Sequence, residues 1–468
     1  MNFRKGAFAG SFFYASLKKK GGPLADKKLF LKFLLPSLVG VLLFLCPINY
    51  NGNETILLAV ITSIVRSPFE AYMLEIIVSI VILSALGSGY FILLKPEWKE
   101  TRPSLYIMCQ TTPLWFIFRL VGAIFAILVY FKIGPEFIWS DATGYLVFTD
   151  IGATIFFIIT VACFLMPFLT EFGFMEFVGT LVSRPFGLLF TLPGRSAIDA
   201  MASFLTASNV GLLITISQYE KGQYSTREAA CIAVNFSVVS ISFSLLIAQV
   251  AGIDHLFVKW YLSVVVACVF CAFITVRLPP LSRLADSYYF PVGKQVADEL
   301  DQSGGAISRA ARNAMARART APEPKQFILN GWHGAVGVVF GVLGPSMAVG
   351  TTTIILLTHT PVFNILSYPL YYLFDIFNFP EANVAAPGMI IGFLDQFMPA
   401  VIASKAQSEM VKFILAGMAV TQLIYMSEVG LIILRSSLPL KFKHLAAIFL
   451  MRTLISFPIL FMAAIILI

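Results

Sequence analysis

Two apolar stretches, one following Pro193 and one following Pro380, are too interrupted to cross a membrane as plain helices. Polar, glycine and proline residues break both 194–218 and 381–404, which occupy corresponding places in two halves of the chain. In lipid, irregular backbone is stable only where protein or a water-filled cavity satisfies its N–H and C=O groups. Paired, interrupted segments of this kind are typical of a secondary transporter built from an internal repeat.

The composition indicates an integral membrane protein with many helical spans. The 468 residues are 58% hydrophobic and 12% charged, with a mean hydropathy of +0.85, whereas a soluble domain carries about twice that share of charge. The net charge of +8 does not indicate a nucleic-acid partner, because the basic residues cluster at the ends of apolar segments. The cysteines and histidines show no metal-ligand spacing, so we predict no metal site.

Nine apolar segments have the length of a membrane span. They are 29–48, 70–94, 111–133, 147–169, 227–250, 255–277, 328–357, 409–436 and 444–467. The basic tail and three basic loops then lie on one side of the membrane, and basic loops are retained in the cytoplasm. The N-terminus is therefore predicted to be cytoplasmic. The predicted fold class is an all-α membrane protein of about nine transmembrane helices plus two re-entrant helical hairpins.

The chain divides into five predicted parts. These are a basic cytoplasmic tail (1–28), a three-helix scaffold (29–133), a first module (146–277), a cytoplasmic linker (278–326) and a second module (327–468). Landmarks of the two modules recur at a nearly constant offset, since Pro193 and Pro380 are 187 positions apart and Ala233 and Ala419 are 186 apart. The loop charges place the start of the first module outside and that of the second inside, which predicts an inverted repeat.

Each interrupted stretch is predicted to be a re-entrant helical hairpin. The first, near 194–218, would turn around Thr206 to Gly211, and the second, near 381–404, would turn around Asp395 to Pro399. Half-helix ends expose unpaired N–H and C=O groups that can bind a polar or anionic ligand. The alternative is a pair of interfacial helices that bind nothing.

The linker contains a basic stretch from 306 to 319 with four arginines. It suits a surface helix lying on anionic lipid headgroups. An ordinary solvated linker between the two halves is an equally open interpretation.

Polar residues in the span after each hairpin are further candidates for the site. Asn235 lies in the first such span, and Thr421, Tyr425 and Glu428 follow an i, i+4, i+7 spacing in the second, which predicts one helical face. An ionisable group inside a span is a functional candidate by default, so Glu428 is predicted to carry protons or to anchor the solute. The alternative for Glu428 is a partner in a buried ion pair.

The segment from Pro193 to Ala200, with 171–177 before it and 235–240 after it, resembles the YjiH-type membrane proteins, which carry a nucleoside-recognition (gate) domain. That domain is similar to parts of concentrative nucleoside transporters and of the ferrous iron transporter. The resemblance implies paired re-entrant hairpins, and a polar solute bound between the hairpin tips and the helices that follow. It also implies a bacterial cytoplasmic (inner) membrane. The chain lacks the nucleoside transporters' Gln-Thr-Glu signature and has no GTP-binding loop, and fold does not fix substrate.

These observations predict a secondary active transporter of a small polar solute, nucleoside-like or another small metabolite, coupled to protons or sodium. The alternative is a non-transporting gate or scaffold subunit of a membrane complex. We predict no enzyme activity, no cofactor apart from a coupling Na⁺ or H⁺, the lipid bilayer and the solute as partners, and a homo-oligomer as an open possibility. The predicted solute-binding residues are Thr206, Ser208, Asn209, Asn235, Asp395, Gln396, Thr421, Gln422 and Tyr425, with Glu428 as the ion-coupling residue.

Overall fold

The fold is nearly all helical, as the composition predicts. A computed structural model describes residues 27–50, 53–94, 98–141, 143–194, 196–205, 208–290, 292–294, 305–376 and 378–468. All of the basic tail apart from Lys27 and Lys28 lies outside these residues. The two short strands that are described, β1 (Pro47–Tyr50) and β2 (Asn53–Ile56), form an antiparallel hairpin with Pro47 opposite Ile56.

Helices that precede the linker build the scaffold and the first module. They are α1 (Lys27–Phe44), α2 (Leu57–Arg66), α3 (Met73–Leu94), α4 (Trp98–Thr101), α5 (Pro103–Cys109), α6 (Pro113–Phe131), α7 (Glu136–Trp139), α8 (Gly144–Leu146), α9 (Ala153–Leu165), α10 (Pro167–Thr170), α11 (Phe174–Phe190), α12 (Ser196–Leu205), α13 (Ser208–Glu220), α14 (Thr226–Asn235), α15 (Ile241–Ala251) and α16 (Phe257–Thr275). Short 3₁₀ turns occur at Ser67–Tyr72, Asp254–Leu256 and Leu281–Arg283, and a π-helical turn occurs at Val147–Gly152.

One helix lies in the linker and the remainder form the second module. They are α17 (Ala306–Arg319), α18 (Pro324–His359), α19 (Val362–Ile376), α20 (Ala382–Ile391), α21 (Met398–Ala403), α22 (Glu409–Thr421), α23 (Val429–Arg435) and α24 (Phe442–Leu467).

Within the described residues, five helical stretches are long and apolar enough to cross a membrane. They are Leu57–Leu94, Glu136–Thr170, Asp254–Thr275, Pro324–His359 and Phe442–Leu467, and shorter apolar helices lie at Trp115–Phe131, Ile241–Ala251 and Ala382–Ile391. This pattern confirms an all-α, multi-pass membrane protein. The count of nine spans stays a prediction. The spans expected at 227–250 and 409–436 are not continuous, since each is divided into two helices.

The chain doubles back in both interrupted stretches. In the first, α12 and α13 pack together, with Gly211 of α13 directly against the side chain of Ser203 of α12. In the second, α20 and α21 pack together, and a Cβ placed on Gly388 would lie 3.3 Å from the side chain of Ile402. Contacts between residues symmetric about a turn require antiparallel arms. We call these helix pairs hairpin 1 and hairpin 2.

Each hairpin contacts the broken helix of the other module. The arm α13 of hairpin 1 packs against α23, and the arm α21 of hairpin 2 packs against α15. The last helices of the two modules, α16 and α24, pack along each other, and α24 also packs along α22. The two modules are therefore interlocked around the broken helices.

The linker helix α17 packs on protein, which an ordinary solvated linker would not do, and its position on lipid headgroups stays a prediction. Its buried face is rich in alanine and contacts α11 and α1. Asn313 donates to the hydroxyl of Thr180 at 3.0 Å, and Arg317 pairs with the carboxylates of Glu171 and Glu176. Small side chains allow the close approach, and the ion pairs orient the helix, so this basic helix is anchored to α1 and to the first module.

Substitution of Gly122 should test the packing of α6 on α18. A Cβ at Gly122 would overlap the backbone carbonyl of Gly344, which cannot move without shifting the helix. We expect Gly122→Ala to lower the free energy of unfolding by about 1–3 kcal/mol, measured as the thermal midpoint in detergent. Gly334→Ala in α18 is the control, because its Cβ would have 3.7 Å to Cys163. Equal midpoints for the two variants would contradict the close approach.

The two carboxylates beside Arg317 should respond to substitution in opposite ways. Burial raises the pKa of Glu176, with Arg317 opposing that shift, and Glu176 Oε2 is buried without a hydrogen-bond partner. When folding raises the pKa of a carboxyl group, the folded state loses stability as the pH rises above the ordinary pKa of that group. Glu176→Gln should therefore maintain or raise the thermal midpoint at neutral pH, with the benefit vanishing near pH of about 4. Glu171→Gln should lower stability by up to about 1 kcal/mol, and the reverse order in melting curves across pH would contradict this assignment.

Candidate functional site

The first helix break separates α14 from α15 at residues 236–240. Local hydrogen bonds explain where the helix stops. The Ser237 hydroxyl donates to the Ala233 carbonyl at 2.8 Å, and the Ser240 hydroxyl caps α15 by accepting from Phe243 N at 3.3 Å. Serine side chains of this kind compete with the helical backbone and favour helix starts.

The second helix break separates α22 from α23 at residues 422–428. Leu423 adopts a left-handed φ of 58°, and Ile424 N donates to the Gln422 carbonyl at 2.7 Å in a tight three-residue turn. A turn of this kind at a leucine is rare and costs on the order of 1–3 kcal/mol. It persists because contacts from other helices hold both of its sides.

Hairpin 2 supplies one set of those contacts. Met426 N donates to Phe393 O at 2.8 Å, and Ser427 N donates to Leu394 O at 2.9 Å. The turn of hairpin 2 is stabilised by Asp395, whose Oδ1 accepts a hydrogen bond from Phe397 N at 2.9 Å. The tip of hairpin 2 is thus bonded through its backbone to the second break.

Arg452 of α24 joins the two breaks. Its Nε donates to the carbonyl of Thr421 at 2.8 Å, and its Nη1 donates to Oδ1 of Asn235 at 2.7 Å. Its side chain is completely buried. Asn235 and Thr421 are the last residues of α14 and α22 and lie 186 positions apart, which is the offset of the sequence repeat.

The position of Arg452 explains how a buried cation is tolerated. Removing an ion from water costs several kcal/mol unless its charge is compensated. Among the described residues, no salt bridge involves Arg452. A helix C-terminus carries roughly half a negative elementary charge, so the ends of α14 and α22 together offset about one positive charge. The guanidinium therefore lies where two helix dipoles end.

Further polar groups surround this cation, and we call the set the polar centre: Asn235, Thr275, Thr421, Gln422, Arg452 and Thr453. The Thr275 hydroxyl lies 2.6 Å from Asn235 Oδ1, and Gln422 Nε2 donates to Met389 O at 3.0 Å and to the Thr453 hydroxyl at 2.9 Å. The polar centre therefore connects both breaks to hairpin 2, α16 and α24.

Several buried polar atoms in the second break, α15, α18, α24 and the tip of hairpin 2 have no hydrogen-bond partner. They are Ser242 Oγ, Ser244 Oγ, Thr351 Oγ1, Gln396 Nε2, Gln422 Oε1 and Arg452 Nη2. Buried polar groups are nearly always paired, so unpaired ones identify candidate ligand contacts. The set includes a hydrogen-bond acceptor, amide and guanidinium donors, and hydroxyl groups that can do either.

Some predicted site residues belong to the polar centre and others do not. Asn235, Thr421 and Gln422 are brought together as described. The Asn235 amide is bonded through both its oxygen and its nitrogen, because its Nδ2 also donates to the Cys231 carbonyl at 3.1 Å. Asp395 shapes the hairpin turn, and Gln396 beside it is buried. Thr206 lies outside the described residues, and the side chains of Ser208 and Asn209 at the start of α13 do as well.

The predicted helical face of Thr421, Tyr425 and Glu428 does not exist. The chain is not helical between Gln422 and Glu428, so the i, i+4, i+7 spacing does not align these side chains. Tyr425 is buried in an apolar cluster with hairpin 1 and α14. Glu428 is the residue just before α23, and its side chain is half-buried.

Arg452, Thr275 and Thr453 were missed by sequence reasoning. Thr275 and Thr453 look like ordinary helix hydroxyls, since both also donate to the carbonyl four residues earlier. Arg452 did offer a signal. It is the lone charged residue between His444 and the end of the last apolar run, and a charge inside a span is a functional candidate by default.

The fold and the polar centre define a multi-pass membrane protein with two hairpins and two broken helices around a buried cation. Residues 153–254 match the family model described as nucleoside recognition, or gate; this range holds α9, hairpin 1 and the first break. The chain is 40% identical over 434 residues to a protein of Alkalihalophilus pseudofirmus described as uncharacterized, covering 92% of this chain and 94% of that protein. The chain therefore belongs to the same family as that protein, and the expected resemblance to the gate domain is confirmed.

The link that Gln422 makes between hairpin 2 and α24 should be measurable. Gln422→Leu removes both of its donated bonds and leaves the buried Met389 carbonyl without this donor, so we expect a loss of about 1–3 kcal/mol in the free energy of unfolding. Thr453→Val is the matched control, because Gln422 then keeps its bond to Met389, and the loss should be about 1 kcal/mol. Thermal or denaturant unfolding in detergent would compare them, and equal losses would show that the bond to Met389 contributes nothing.

Proposed function

We propose that this protein is a secondary active transporter of a small polar solute that works by alternating access around its two hairpins and two helix breaks. The observation that carries this proposal is the pair of equivalent helix breaks joined through one buried polar centre. Discontinuous helices that face one another at a repeat interface form the solute and ion sites of many transporters. The gate domain of the first module supports a solute related to nucleosides.

The unpaired buried atoms of α15, α18, hairpin 2 and the second break suit a solute that both donates and accepts hydrogen bonds. Gln396 Nε2 can donate, Gln422 Oε1 can accept, and the hydroxyls of Ser242, Ser244 and Thr351 can do either. A site of this kind rejects analogues that lack the matching polar groups, because its own groups would then stay unpaired. Thr206, Ser208 and Asn209, which the sequence predicts to bind the solute, complete the proposed contacts.

Movement of hairpin 2 would provide the gate. Its tip is bonded to the second break by two backbone hydrogen bonds, from Met426 to Phe393 and from Ser427 to Leu394. Separation of the hairpin 2 tip from the second break would break both hydrogen bonds, at a net cost of roughly 1 kcal/mol each. Such a cost lies within the few kcal/mol that separate interconverting states of a protein.

Glu428 is the proposed proton carrier, since it lies at the end of the second break and is half-buried. Glu428→Gln preserves its size and removes its titration. We expect uptake into proteoliposomes to fall about tenfold or more, equivalent to about 1.4 kcal/mol, and to lose its dependence on pH, while the thermal midpoint changes little. Glu409→Gln is the control, because Glu409 starts α22 away from the break and pairs with His255. Full, pH-dependent uptake in Glu428→Gln would remove this residue from the mechanism.

A thermal-shift screen of the purified chain tests the proposed function itself. Nucleosides, nucleobases, amino acids and organic acids would be compared at several sodium concentrations and pH values. A transporter should be stabilised by its solute, because ligand binding to the folded state raises the midpoint, and the same solute should enter proteoliposomes. Absence of both effects, with activity restored only by another subunit, would favour the non-transporting alternative.

A further inference from the structure

The guanidinium of Arg452 has the place of a bound metal cation. It lies at the C-terminal ends of two half-helices, with Thr421 O at 2.8 Å from Nε and Asn235 Oδ1 at 2.7 Å from Nη1. In transporters with broken helices, unwound carbonyls and half-helix C-termini are the groups that coordinate a sodium ion. Here those oxygens already hold a positive charge that belongs to the chain.

The internal repeat has a positive charge at this position in the second module and none at the corresponding position in the first module. With the 186-position offset that relates Asn235 to Thr421, Arg452 corresponds to Val266 of α16. Arg452 therefore has no equivalent in the first module, although it bonds the last residue of both broken helices, through the backbone carbonyl of Thr421 and the side-chain amide oxygen of Asn235. One cation serves two helix ends, as a shared ion would.

We propose that Arg452 is a built-in cation that replaces a bound sodium ion where the two helix breaks meet, so that transport is not driven by sodium at this point. A sodium ion in the same position would meet the guanidinium at close range, and like charges within a buried site are strongly unfavourable. This inference rests on the proposed transport function and favours the proton over sodium as its coupling ion. Arg452 is a positioning residue, since it acts through the helix ends that it holds.

Thermal unfolding of the purified full-length protein tests the proposal without knowledge of the solute. The wild-type midpoint should be the same in sodium chloride and in choline chloride at equal ionic strength. Arg452→Ala should melt at a lower temperature in choline, because Thr421 O and Asn235 Oδ1 lose their bonds to the guanidinium, although Thr275 stays beside Asn235 Oδ1. Sodium, or guanidinium at non-denaturing concentration, should restore part of that loss. Arg452→Lys retains a cation and should not respond to sodium.

Arg119→Ala is the matched control. Arg119 is also buried, but it bonds the Ser88 hydroxyl and the Met108 carbonyl rather than the ends of the broken helices. We expect this variant to be destabilised and to show no specific response to sodium. An equal sodium response in Arg119→Ala and Arg452→Ala would overturn the proposal, because a filled cavity would then explain both.

Three further outcomes decide the matter. A sodium-specific rise of the wild-type midpoint, or an Arg452→Ala variant that responds to neither ion, would overturn the proposal. If Arg452→Ala does not fold, wild-type uptake decides: uptake driven by a proton gradient with sodium absent supports the proposal, and uptake that requires a sodium gradient overturns it. Failure of the proposed function is distinguishable, since it would abolish uptake under every gradient and leave the ion dependence of the midpoints intact.

Discussion

A guanidinium bonded to the ends of two helices is the contact on which the centre of this protein depends. Arg452 approaches Thr421 and Asn235 from a third helix and compensates the negative ends of α22 and α14. Without a positive charge there, the carbonyl at the end of α22 would lose its bond to the guanidinium in a buried region, which is costly in a low-dielectric environment. The broken helices and the buried arginine thus stabilise each other.

The strained backbone of the second break follows from that contact. A left-handed leucine does not persist in isolation, yet Leu423 is held between two residues with tertiary partners. Arg452 binds the carbonyl of Thr421 before it, while Met426 beyond it is bonded to the tip of hairpin 2. Any movement that carries hairpin 2 away would therefore act on the strained turn directly. This connection gives the proposed gate a physical link to the polar centre.

Several features were predictable because they arise locally. Hydropathy marks the long apolar helices, and the proline, glycine and polar residues after Pro193 and Pro380 mark the two stretches that fold back on themselves. The offset of 186 residues predicted an internal repeat, and Asn235 and Thr421 are related by that offset. The assignment of Thr421, Tyr425 and Glu428 to one face was wrong, because a regular helix was assumed where tertiary hydrogen bonds sustain a break.

The sequence by itself determined that this chain is a helical membrane protein with two interrupted apolar stretches, since burial in lipid and helix interruption depend on residues close together in the chain. Only the tertiary structure decided which polar residues form the centre. Arg452 lies 31 residues from Thr421 and 217 from Asn235, so no local pattern relates them. The Arg452 guanidinium of α24 is compensated by the last residues of α14 and α22, and that contact forms only once all three helices have packed.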